Sequence, residues 1–213
     1  MKTDQLIDLL ATGVTPVVPR AASRMVQRAS LIGLAGALLI LMLFYGPRKD
    51  LASAMHWPMF WLKLGAPVVV ALAGAILVAR LGRPGVSARH WVWLAVAPVL
   101  VLWGLALVQW SAAVPAERPA LLWGQTWRTC LWSVGLIGTP VFAAALWALR
   151  DLAPTRARQA GAAAGLLAGG VGAGVYALHC PELTAPFIAV WYVLGMALPV
   201  AAGWWLGPRV LRW

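Results

Sequence analysis

The chain is short of acid and of charge altogether: 6 Asp and Glu stand against 17 Lys and Arg among 213 residues, and only 11% of positions are charged. A soluble domain carries about 25% charged and roughly 45–50% apolar residues. A hydrophobic content of 62% and a mean hydropathy of +0.81 therefore exclude an ordinary water-soluble globule. Cysteine is scarce as well, with Cys130 and Cys180 as the pair. Lacking C-x-x-C spacing or a second couple, the chain has no resolving thiols of the kind a membrane thiol-redox protein needs. Ionisable groups deep inside the apolar runs are also missing. A small-molecule or metal transporter normally places such groups near mid-bilayer. The polar exceptions are Lys63 and Gln109 near run ends, and Lys63 reads as snorkelling to an interface. No repeat of 20–50 residues is visible, and no motif points to an enzyme or to a required cofactor.

What is present is length without charge. A helix needs roughly 20 apolar residues to cross about 30 Å of hydrocarbon. Six runs qualify, at about 29–45, 60–79, 91–110, 130–149, 159–178 and 186–206, and each is bracketed by Arg, Lys, Pro or Trp. The predicted fold class is all-α: a polytopic bundle of six transmembrane helices over 30–207, with a short cytoplasmic tail at 1–29 and a cytoplasmic stub at 208–213. Ala52-Ser53-Ala54 resembles a leader cleavage site, but Arg48, Lys49 and Asp50 separate it from the preceding run. The first run thus reads as a retained helix. Trp57, Trp61, Trp91, Trp110, Trp123, Trp127, Trp147 and Trp205 fall at run ends, where an amphipathic ring suits the headgroup zone.

Orientation follows from the cations. Lys2, Arg20, Arg24, Arg28, Arg80, Arg83, Arg89, Arg150, Arg156, Arg158, Arg209 and Arg212 collect on one side; Arg48, Lys49, Lys63, Arg118 and Arg128 lie on the other. The twelve-to-five asymmetry puts both termini in the cytoplasm. It also accounts for the net charge of +11 without direct contact to nucleic acid.

Three features stand out from this frame. Gly161, Gly165 and Gly169 recur every fourth residue, with Gly172 and Gly174 beyond, so small residues share a helical stripe that a neighbouring helix can approach closely. Residues 3–12 predict a short amphipathic helix: Thr3 caps it, Asp4 suits the positive end of the helix dipole, and Gly13 ends it. Leu6, Ile7, Leu9 and Leu10 make its apolar side, with Asp4 and Asp8 among the polar positions. Ten residues are too few for a stable free helix, so the segment needs a surface, either a protein groove or the membrane lipid. Residues 14–19, which contain Pro16 and Pro19, then read as extended.

The third feature is the cysteine pair. Cys130 opens the fourth run and Cys180 sits in His179-Cys180-Pro181-Glu182 after the fifth. Both fall at the outer boundary, in a compartment that permits disulfides. A structural disulfide, a thiolate metal site completed by His179 and Glu182, and two inert thiols all fit this placement.

Three stretches together carry a resemblance: MKTDQLIDLLA at the start, WGQTWRTC leading to LRDLAPTRARQAGAAAGLLAGG, and YALHCPEL with the ending LGPRVLRW. They resemble the NrsF family, negative regulators of sigma factor F, over nearly the whole chain. The resemblance implies a six-span anti-sigma factor of the bacterial inner membrane. Its implied partner is an extracytoplasmic-function sigma factor, held by the opening motif at Met1 to Ala11. Release under heavy-metal or oxidative stress would depend on two cysteines, which map onto Cys130 and Cys180, with a heavy-metal ion as a possible signal. Leu131 departs from the pattern, in which proline often follows the first cysteine.

Overall fold

The computed structural model describes residues 3–12, 21–83 and 85–212. Gly13, residues 14–19 with their expected extended form, Arg20 and Lys2 lie outside them. Every regular element among the described residues is helical. In lipid the backbone must satisfy its own hydrogen bonds, and a helix does so within a single segment.

Helix α1 spans Thr3–Ala11 and all its residues are exposed. Helix α2, Ala21–Ile40, runs on through a π-helical turn at Leu41–Tyr45. A short helix α3, Leu51–Ala54, precedes α4, Pro58–Leu81. A 3-10 turn at Arg89–Trp91 leads into α5, Val92–Ala112. Then come α6, Arg118–Trp123; α7, Trp127–Leu152; and α8, Ala157–Tyr176. The last span starts as α9, Ala185–Phe187, passes a second π-helical turn at Ile188–Tyr192, and ends as α10, Val193–Val210.

A helix thus covers each of the six apolar runs. Five stretches are long and apolar enough to cross a membrane: Ala21–Tyr45, Pro58–Leu81, Arg89–Ala112, Arg118–Leu152 and Ala185–Val210. Helix α8 is not among these five, because six glycines dilute its hydropathy. Its 20 residues nevertheless reach about 30 Å at 1.5 Å per residue, and most of them are buried against other helices rather than facing outward.

The glycines explain that central place. A Cβ on Gly161 would run into the Gly203 backbone of α10, one on Gly165 into Pro199 and Val200, and one on Gly169 would lie 2.6 Å from the Met196 carbonyl. The stripe is therefore the α8–α10 contact. Gly172 meets Val134 and Gly138 of α7 instead, and a Cβ on Gly170 would lie 2.5 Å from the Ala71 backbone of α4. Helix α8 is an axle on which α4, α7 and α10 pack at backbone distance. Pro67, Pro98, Pro140 and Pro199 lie inside α4, α5, α7 and α10, where each removes one backbone donor.

Candidate functional site

Nearly all the long-range polar contacts of the bundle gather at one end, around the loop that follows α8. Apolar helices cannot specify a loop by burial alone, so directed hydrogen bonds hold it. The Arg48 N–H donates to the Leu178 carbonyl at 2.9 Å, and the Arg48 guanidinium reaches the Cys180 carbonyl at 3.3 Å. The Thr184 hydroxyl donates to the Leu121 carbonyl, and the Ala185 N–H donates to Gln109 Oε1 at 2.8 Å. Residues 178–185 are thereby tied to the ends of α2, α5 and α6.

Lys63 is the centre of this layer. The expectation of snorkelling is overturned: the side chain is fully buried, and its Nζ donates to the carbonyls of Cys180 and Glu182, both at 2.7 Å. A buried ammonium is tolerated where its protons find acceptors. Here two backbone carbonyls of one loop supply them, and the Tyr192 ring lies 5.2 Å from Nζ.

Cys130 and Cys180 are both fully buried and both free thiols. Thr126 links them, since its carbonyl accepts the Cys130 N–H at 2.9 Å while its hydroxyl sits 3.8 Å from the Cys180 sulfur. His179 and Glu182, the other two proposed ligands, point elsewhere. His179 Nδ1 pairs with the Gly46 carbonyl at 2.9 Å, and its ring stacks edge-on against Tyr45. The Glu182 carboxylate accepts the Gln125 N–H at 2.7 Å. Among the described residues no group of three or more His, Cys, Asp or Glu side chains is placed to hold a metal ion. The four residues share one layer without forming a ready ligand set.

Gly124 shows how tightly the layer is specified. Its φ of +51° is left-handed, and a Cβ there would lie 2.7 Å from the Glu182 carboxylate, so glycine is demanded by both backbone and space. At the rim, Arg48 binds Asp50 through two nitrogens, at 2.8 and 2.6 Å. That hydrogen bond holds the Asp50 carboxyl below its usual range and the Arg48 guanidinium above its own.

Sequence reasoning missed several members. The two π-helical turns end at Tyr45 and Tyr192, and both tyrosines face Tyr176, at ring distances of 6.1 and 6.0 Å. Turns of this kind often occur at functional sites. The Tyr192 hydroxyl is buried without a hydrogen-bond partner among the described residues. Trp123 and Trp127, read as interfacial, also pack with Trp191 at 5.4 and 5.1 Å. No sequence period announces a π turn. The one available signal was Lys63, a lone cation inside an otherwise apolar run.

The predicted partner-binding residues lie apart from this layer, on α1. Leu6, Ile7, Leu9 and Leu10 are 41, 57, 67 and 67% exposed, and Asp4 and Asp8 are exposed beside them.

No solved structure matches the chain. A family profile described as "Negative regulator of sigma F" matches residues 10–213. Over the full length of both proteins, the chain is 46% identical to a probable anti-sigma-F factor NrsF of Azospira oryzae and 42% identical to the anti-sigma-F factor NrsF of Caulobacter vibrioides. With identity at that level across the whole chain, and the family profile covering all but its first nine residues, the protein belongs to the NrsF family of negative regulators of sigma F.

Proposed function

We propose that this chain is an anti-sigma factor of the bacterial inner membrane, with six spans and both termini in the cytoplasm. It holds an extracytoplasmic-function sigma factor through α1 and releases it when Cys130 and Cys180, on the opposite face, meet heavy metal or oxidant. Full-length kinship to proteins named as anti-sigma-F factors supports the regulatory role.

The observation that carries the binding role is α1. Four large apolar side chains on a helix of 9 residues are all exposed. Such a short helix is marginal unless its apolar side is covered. A groove on a partner protein covers it, with Asp4 and Asp8 at the polar edge. Replacing Leu6 and Leu10 together with Asp is expected to free the sigma factor and raise transcription of its genes, with the membrane-bound level of the regulator unchanged. Full repression at normal protein level would remove α1 from the binding role.

Signal and output are separated by about 30 Å of hydrocarbon, so they communicate through helices. Cys130 lies in the first turn of α7 and Cys180 follows α8. Because α8 touches α4, α7 and α10 through glycine backbone, a displacement at the cysteine layer is passed to three neighbours without soft side chains to absorb it.

A further inference from the structure

At the end of the bundle opposite the cysteines, α4, α5, α8 and α10 line a half-open cavity of about 670 Å³. Helix α5 is fastened to the last span in its other half, where Trp103 Nε1 donates to the Ala189 carbonyl at 3.0 Å and Gln109 accepts the Ala185 N–H. Toward Val92 the helices part. Leu77, Val96, Val99, Leu166 and Val200 line the gap, whose apolar surface far exceeds its polar surface. The lining runs from Val92 to Val99 and from Gln159 to Leu166, two helical turns or about 10 Å deep.

Its rim is cationic. Arg89, from the 3-10 turn, and Arg156, from the residue before α8, both reach it, with Gln159 beside them. No carboxylate among the described residues lines it. Trp204 forms one wall and is shared with a second cavity edged by Arg158, Arg209 and Arg212.

We propose that this cavity is a binding site for an anionic phospholipid, whose phosphate sits between Arg89 and Arg156 and whose acyl chains lie along the apolar walls. A soluble phosphate would satisfy the arginines and leave the walls uncovered; a neutral lipid would fill the walls and leave both guanidiniums without a counter-ion. Basic pockets between helices at a cytoplasmic end are a known form of anionic headgroup recognition. The lipid wedges α5 against α8 and α10, where direct packing is missing.

The test is native mass spectrometry of the full chain in mild detergent, with phosphatidylglycerol and phosphatidylcholine of matched chains as probes. No sigma factor is present, so the result is independent of the anti-sigma reading. Retention of phosphatidylglycerol is expected to exceed that of phosphatidylcholine by about 10- to 30-fold, the effect of two cations near a charged headgroup. R89A/R156A should lower it to the phosphatidylcholine level, R89K/R156K should keep most of it, and R28A/R150A, at the same end but away from the cavity, should leave it unchanged. A162F, which fills the cavity while sparing both arginines, should also abolish retention. Each variant is checked for an unchanged melting temperature in the same detergent. Equal retention of the two lipids, equal loss in R28A/R150A, full retention by A162F, or displacement by equimolar glycerol phosphate would each overturn the proposal.

Discussion

At the scale of single residues, the cysteine layer depends on one cation. Lys63 gives two hydrogen bonds to the loop that carries Cys180, and no other buried side chain among the described residues touches that loop twice by hydrogen bonds. Lys63→Met keeps the aliphatic volume, leaves the Glu182 carbonyl without its donor and leaves the Cys180 carbonyl with only the longer Arg48 contact. Charged hydrogen bonds of this kind contribute about 1.5–3 kcal/mol, so thermal unfolding in detergent should show a loss of that order, and thiol-reactive probes should label Cys180 faster. The cysteines themselves are expected to act as a unit. With both thiols free and linked through Thr126, Cys130→Ser or Cys180→Ser should keep repression and blunt induction by metal or oxidant. The double variant should behave no worse than either single one. Reporter output with and without stress, together with membrane abundance, checks this. A lower abundance and a raised basal output would mark the pair as structural, and full induction in the double variant would make the cysteines bystanders.

At the scale of elements, α8 decides whether the bundle closes. A side chain at Gly165 has no room, because its Cβ would enter the Pro199–Val200 backbone, whereas one at Gly104 of α5 or Gly135 of α7 meets nothing within 4 Å. Gly165→Ala is expected to destabilise the protein by about 1–3 kcal/mol, the range of overpacked cores. Gly104→Ala and Gly135→Ala, which raise helix propensity, should be neutral or mildly stabilising. Melting temperatures of the three variants, purified in one detergent, separate a packing stripe from a merely flexible one. The periodicity of the stripe was visible in the sequence. That the same helix also offers Gly170 to α4 and Gly172 to α7 was not, because a spacing of four residues describes one face and is silent about how many neighbours surround the helix.

For the whole molecule, the cation asymmetry and the helix count make a topology that experiment can check. Reporter fusions after residue 29, near Gly85 and after Trp213 should report the cytoplasm, and fusions near Ser53 and Glu117 the outside. Cys180 is expected to report with the second group, since its loop is hydrogen-bonded to residues at the ends of α2, α5 and α6. A cytoplasmic Cys180 would end the proposed sensor, whatever became of the role of α1.

Composition and charge-free length by themselves determined that the chain is all-helical, where its long apolar helices lie, and which short segment at the start is amphipathic. These follow from local rules, since hydropathy and periodicity act within one segment and the bilayer imposes the same length on each. Residue spacing also pointed to a shared depth for Cys130 and Cys180. Only the tertiary structure decided that His179 and Glu182 serve the backbone of neighbouring loops, that Lys63 is buried rather than snorkelling, and that α5 parts from α8 and α10 at one end. Those outcomes turn on which backbone carbonyl or helix stands opposite a given side chain. In a chain so poor in polar residues, each hydrogen bond goes to whatever partner the packing brings within reach, and packing partners are many residues apart in sequence.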